Sequence, residues 1–225
     1  MSGGCDGLPV SRPEPIDLAT WARAEHFEYY RSRIPCTYAI TVEIDVTELT
    51  EALRRSNRKT FAAQVWALAE VVNRHDEFRL TLDQHGDPAT WQRLHPAFTV
   101  FNSESETFAC LWTPYDEDFG EFHAQMSDVL MEHNDDTRMF PQGDPPPDTF
   151  DVSSLPWTAF TSFELQISGS EHHFLPIFTL GRYAERGGRT LLPLAVQVHH
   201  AAADGFHTAR LINDLRQLVS APDWI

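Results

Sequence analysis

The residues best suited to chemistry stand together near the end of the chain, in His199-His200-Ala201-Ala202-Ala203-Asp204-Gly205. An imidazole can take up and return a proton near neutral pH. An aspartate four residues on could orient the loop through a buried ion pair, and a glycine beside it permits a tight backbone turn at a helix entry. A histidine met singly is most often a packed or solvated side chain. A paired HHxxxDG between a buried-looking strand, LLPLAVQV, and a helix is more specific and points to catalysis. His200 and Asp204 are also metal-ligand types, but no HExxH helix and no cysteine pair accompanies them, so no metal site is expected.

The elements that must position this motif follow from periodicity. Residues 1–18, rich in Gly, Pro and Ser, read as an extended arm, and 19–225 as one domain. Thr20 is placed to cap a helix over WARAEHFEYYRSR, which Pro35 ends. CTYAITVEIDV alternates and is β-branched, as a strand requires. TELTEALRRSN and TFAAQVWALAEVVNRH carry helical spacing. The middle reads as short strands, FRLTLD, TWQRL, FTVFNSES and TFACLWTPY, with a turn at Gly86-Asp87-Pro88. A helix is expected within DEDFGEFHAQMSDVLMEHN, and PQGDPPPD reads as a loop or linker. Strands resume in TAFTSFELQIS, FLPIFTLGRY and TLLPLAVQVHH, the last two joined at Gly187-Gly188. The final helix, GFHTARLINDLRQLV, sets Phe206, Leu211, Ile212, Leu215 and Leu218 on one face. Helices and strands mix without a regular βαβ rhythm, so the expected class is α+β, or α/β with a mixed sheet.

Composition narrows the function. The 225 residues are enough for a sizeable core, and the formal charge of −16 argues against nucleic acid and anionic lipid as partners. No apolar run approaches the roughly 20 residues that span a bilayer. Cys5, Cys36 and Cys110 are odd in number and scattered, as expected of reduced thiols in a cytoplasmic protein.

VQVHHAAADGFHTARLINDLRQL resembles the C-terminal signature of the chloramphenicol acetyltransferases. WARAEHFEYYRSRIPC, FAAQVWALAEVVNRHDEFR, FTVFNSESETFACLWTPY, RMFPQG, SSLPWTAFTSF and PIFTLGRY resemble further blocks of that family, in the same order. The HHxxxDG element alone also occurs in dihydrolipoamide acyltransferases and peptide-synthetase condensation domains. The resemblance implies the CoA-dependent acyltransferase fold, a mixed β-sheet flanked by helices, and an acetyl-CoA-dependent O-acetyltransferase acting on chloramphenicol or a similar aromatic alcohol. Acetyl-CoA would be a co-substrate, with no permanently bound cofactor.

Residue by residue, the resemblance makes His200 the general base and His199 its structural neighbour. It makes Ser153, rather than Ser154, the donor to the oxyanion, and Thr179 the holder of a water near the reacting oxygen. Asp204 would pair with Arg23 to hold the loop, a backbone carbonyl setting the imidazole tautomer. The acceptor pocket would include Tyr30, Ile34, Cys36, Thr99, Phe108, Phe140, Leu165 and Ile177, and Lys59 and Arg182 would face the phosphates of CoA. Tyr29 and Cys110 depart from the family's frequent Phe and Ala, and Ala201-Ala202-Ala203 suggests looser loop packing. The family further implies a homotrimer with active sites between subunits. The alternatives are an acyltransferase for another hydroxyl compound, a non-catalytic binder of the acceptor, a dihydrolipoamide-type core and a metal hydrolase.

Overall fold

Strand pairing explains where the two histidines end up. The computed structural model describes residues 11–167 and 173–225; Cys5, the first ten residues of the arm and Ser168 lie outside these. The strands are β1 (Glu14–Pro15), β2 (Thr37–Asp45), β3 (Leu80–Leu82), β4 (Pro88–Thr90), β5 (His95–Asn102), β6 (Thr107–Trp112), β7 (Thr149–Leu155), β8 (Ile177–Gly181), β9 (Ala184–Arg186) and β10 (Arg189–His199). The helices are α1 (Ala24–Glu28), α2 (Thr47–Ser56), α3 (Thr60–Asn73), α4 (Phe119–Glu132) and α5 (Gly205–Ser220). The main sheet runs β2-β10-β8-β7-β5-β6, with β9 paired to β10 as a hairpin arm. β5, β7 and β8 run parallel and the other pairs antiparallel, which is the expected mixed sheet. A small sheet, β1-β4-β3, ties residues 14–15 of the arm to the body.

The core lies between one face of the main sheet and the helices. Phe98, Val152, Phe178, Leu180, Leu194, Val196 and Val198 point there and meet α3, which is apolar nearly all round and correspondingly buried. Period-2 alternation sends Ser153, Thr179, Ala195 and Gln197 to the opposite face. The Gly187-Gly188 turn is as expected; both residues have positive φ, 60° and 75°, which suits the primed turns of two-residue hairpins.

Five expectations are corrected. Thr20 does not cap α1, because its hydroxyl bonds back to Asp17 in a preceding turn; the helix starts at Ala24 and continues as one wider π turn over Tyr29–Arg33. TWQRL is not a strand beyond Thr90: Asn73 and Arg79 take its backbone groups with their side chains. PQGDPPPD links no domains, since the loop lies against the main sheet, where the Gln142 carboxamide bonds both the amide and the carbonyl of Trp112. The described part of TAFTSFELQIS is not a strand, because side chains replace the ladder. Thr41 Oγ1 accepts from the Phe163 amide, and the Gln197 carboxamide bonds both the amide and the carbonyl of Leu165. The buried face of α5 holds Thr208, Leu211, Ile212, Leu215 and Val219, whereas Phe206 is 70% exposed beside Arg210.

Candidate active site

The loop after β10 is built to present one imidazole. His199 ends the strand, is buried, and accepts the Ala201 amide at Nδ1 (3.1 Å). The amides of Ala202 and Ala203 both donate to the His199 carbonyl, closing a tight turn. The expected looser packing is absent: Ala201, Ala202 and Ala203 are 0–2% exposed, and the first two pack with Phe27, Leu80 and Phe174. Their small size is what allows the turn to sink into the body. Gly205 has ordinary backbone angles and open space at its Cβ position, so the helix entry makes no demand for glycine there.

Asp204 does more than the sequence reading assigned to it. Its carboxylate accepts from Arg23 Nη1 at 2.8 Å, the expected ion pair. It also caps α5 by accepting the Phe206 amide at 3.0 Å, and stands 2.8 Å from His207 Nδ1. Burial pushes its carboxyl up, but Arg23, His207 and the Phe206 amide outweigh this and hold it below its usual range. Arg23 reaches further, its Nη2 lying 3.4 Å from the carbonyl of His200. One guanidinium thus grips both ends of the loop.

His200 is half-buried, with its amide bonded to the Cys36 carbonyl (2.9 Å). Tyr30 stacks on its ring at 3.9 Å and 6°, and Tyr38 meets it at 5.3 Å and 64°. Nδ1 is shielded from solvent, and no other residue among those described hydrogen-bonds it. Tyr30 therefore stands beside the imidazole and Cys36 against the His200 backbone, and Ile34, 51% exposed, lies on the segment between them. Burial pushes the Cys36 thiol up, as befits a packed rather than a reactive cysteine.

Ser153 and Thr179 lie elsewhere in the chain. They pair directly across β7 and β8, and Thr179 pairs with Ala195 on β10. His200 is five residues past Ala195, which at strand rise is about 16 Å away. Ser153 and Thr179 line a cavity of about 790 Å³ at the carboxyl ends of the parallel strands, together with Thr99, Phe108, Leu165 and Arg182. This is where open sheets with parallel strands commonly hold ligands. Five aromatic members of this wall, Phe61, Phe101, Trp157, Phe163 and Tyr183, were not among the candidates. Trp157 and Phe101 pack edge to face at 4.6 Å while remaining exposed, a position costly to leave bare in water. The nearby SSLPW block was the signal that could have found Trp157.

The remaining candidates are not brought to the cavity. Ile177 shares a strand face with Thr179 but is buried in the sheet, and Phe140 sits in the loop after α4. Lys59 precedes α3 and is exposed; its neighbour Thr60 lines the cavity instead. Tyr29 packs edge-on against Tyr30. Cys110 faces the same side of the sheet as Thr99, and burial together with Asp151 pushes its thiol up to about 11.

The chain matches the family model described as "Chloramphenicol acetyltransferase" over residues 13–216. It is 63% identical over 217 residues to a Streptomyces acrimycini protein named chloramphenicol acetyltransferase, covering 96% of this chain and 99% of that one. A protein of Escherichia coli named chloramphenicol acetyltransferase 3 is 41% identical over 206 residues, covering 92% and 96%. A solved structure named chloramphenicol acetyltransferase superposes with a TM-score of 0.85 at 21% identity, covering 92% and 99%, and speaks for the fold alone.

Proposed function

The chain belongs to the chloramphenicol acetyltransferase family, and from that premise we propose that it transfers the acetyl group of acetyl-CoA to a hydroxyl of chloramphenicol, inactivating the antibiotic. The observation that carries the reading is the Arg23 clamp, which holds both Asp204 and the His200 carbonyl and so anchors the loop that carries the imidazole. In this reading Nε2 takes the hydroxyl proton as the oxygen forms its bond to the thioester carbon. The carbon–sulfur bond then breaks, and the imidazolium returns the proton to the leaving thiolate. The substrates react directly, so no acyl-enzyme is needed.

Ser153 donates to the oxyanion that develops on the thioester oxygen, a contact made only as charge appears there. Thr179, paired opposite it, holds a water at the reacting oxygen. The cavity receives the acceptor alcohol against Thr99, Phe108 and Leu165, with Arg182 at its rim as a charge partner for a phosphate of CoA, and exposed Lys59 as a second.

The separation of His200 from Ser153 within one chain makes a second copy part of this proposal. We infer a homotrimer in which His200, Tyr30, Ile34 and Cys36 of one subunit face Ser153, Thr179, Thr99, Phe108 and Leu165 of the next. The exposed Tyr29, Ile34, Phe108, Trp157 and Leu165 are the apolar surface that such an interface would cover. Reduced thiols and the acidic surface fit a cytoplasmic enzyme. The test is release of free thiol from acetyl-CoA with and without chloramphenicol. Chloramphenicol-dependent release is expected; its absence with folded protein overturns the reading.

A further inference from the structure

Two hydroxyls with no part in the reaction anchor a ring that contacts the imidazole. The phenol oxygen of Tyr38, on β2, lies 2.7 Å from Thr208 Oγ1 in the first turn of α5. The Thr208 hydroxyl in turn donates to the carbonyl of Asp204 at 3.2 Å. Each hydroxyl has one proton, so the phenol donates the shorter bond when Thr208 gives its own to Asp204. A second acceptor, the Ala203 carbonyl, is at 3.5 Å and lies on the same loop. The hydroxyl pair therefore ties Tyr38 to the backbone of the loop whose Asp204 Arg23 holds.

The ring of Tyr38 is where this chain meets the base. The contacts of Tyr30 and Tyr38 restrain the rotation of the imidazole, whose Nδ1 no other residue among those described hydrogen-bonds. Tyr30 lies in the π turn that follows α1. Tyr38 is held at both ends: its backbone pairs with Val198 on β10, and its phenol is tied to α5. The ring is thereby fixed relative to the strand that delivers His200 and to the helix that follows it.

We propose that Tyr38 is a positioning residue for His200, anchored by Thr208, so that the hydroxyl pair locks the aim of the imidazole rather than merely stabilising the fold. The proposal rests on the reading of His200 as the general base. Tyr38→Phe and Thr208→Val each remove the bond while keeping the shape of the side chain. Misplacement of a reacting group by a fraction of an ångström is costly, so kcat of either variant is expected to fall about 3- to 10-fold. KM for both substrates should stay within about twofold, and the double variant should fall no further than either single one. Losses that multiply in the double variant overturn the proposal, as does a lowered melting temperature with unchanged kcat. NMR separates the proposal from the functional reading. The ring-proton resonances of His200, identified by their loss in His200→Ala, should move in both variants. Unmoved resonances overturn the positioning role whatever the activity, whereas wild-type protein that releases no thiol overturns only the reading of the reaction.

Discussion

Replacing Asp204 separates its three duties. Asp204→Asn keeps an acceptor at the helix cap but removes the charge that faces Arg23; Asp204→Ala removes both. Breaking a buried ion pair costs about 3–5 kcal/mol. Here Arg23 is 13% exposed but Asp204 is 35% exposed, so solvent screening reduces the expected loss for Asp204→Asn to about 2 kcal/mol. Losing the cap as well adds about 1 kcal/mol for Asp204→Ala. Both variants should also lose turnover, Asp204→Ala more, because Arg23 would no longer hold the His200 carbonyl in place. Denaturant midpoints and thiol-release kcat, measured on the same preparations, read the two effects. The pH dependence has a definite sign. The folded carboxyl sits below its usual value of 3.8, so its contribution is present above that pH and is lost as pH falls through the depressed value. Wild type and Asp204→Asn should therefore converge in stability on acidification below about pH 4. A constant gap at all pH values, or an Asp204→Asn protein as stable and active as wild type at pH 7, would refute the clamp.

Ser153→Ala should lower kcat about 10²–10³-fold with little change in KM, since its donor acts on developing charge; a defect confined to KM speaks against that role. Arg182→Ala should raise KM for acetyl-CoA while leaving that for chloramphenicol unchanged, and equal effects on both would remove Arg182 from the cofactor side. His95 is a stability switch: burial, opposed by Asp148 and aided by Arg93, holds its imidazole below 6.5, and Nδ1 accepts the Tyr115 amide. The unfolded chain therefore takes up a proton first, so stability should fall as pH drops below about 6.5. His95→Asn should flatten that slope in denaturant midpoints between pH 7.5 and 5.5, and an unchanged slope would reject the assignment.

Much of the fold was legible because period-2 and helical spacing are strong where one face is buried, as in β2, α3 and β10. The reading failed where side chains replace backbone partners. Residues 158–167 alternate like a strand, yet Thr41 and Gln197 take their backbone groups. At the site, Asp204 and His200 were legible from the motif, whereas Arg23, 181 residues from Asp204, was reached only through the family resemblance. The cap by Asp204 carried a signal that went unused, since aspartate before a helix is among the strongest N-caps. The distance between Ser153 and His200 was not legible at all. It depends on the register of β7, β8 and β10, which are separated in sequence and meet only through pairing. Tyr38 was missed for a related reason: alone it is an ordinary strand tyrosine, and its partner lies 170 residues away.

Mixing two inactive variants tests most directly whether base and oxyanion donor come from different copies. Equal amounts of His200→Ala and Ser153→Ala chains, each nearly inactive alone, can be unfolded together and refolded. If neighbouring subunits share each site, about one site in four regains both groups, and close to a quarter of wild-type thiol release should return. A mixture as inactive as its components would mean that both groups serve within one chain, or neither serves at all, and would contradict the account.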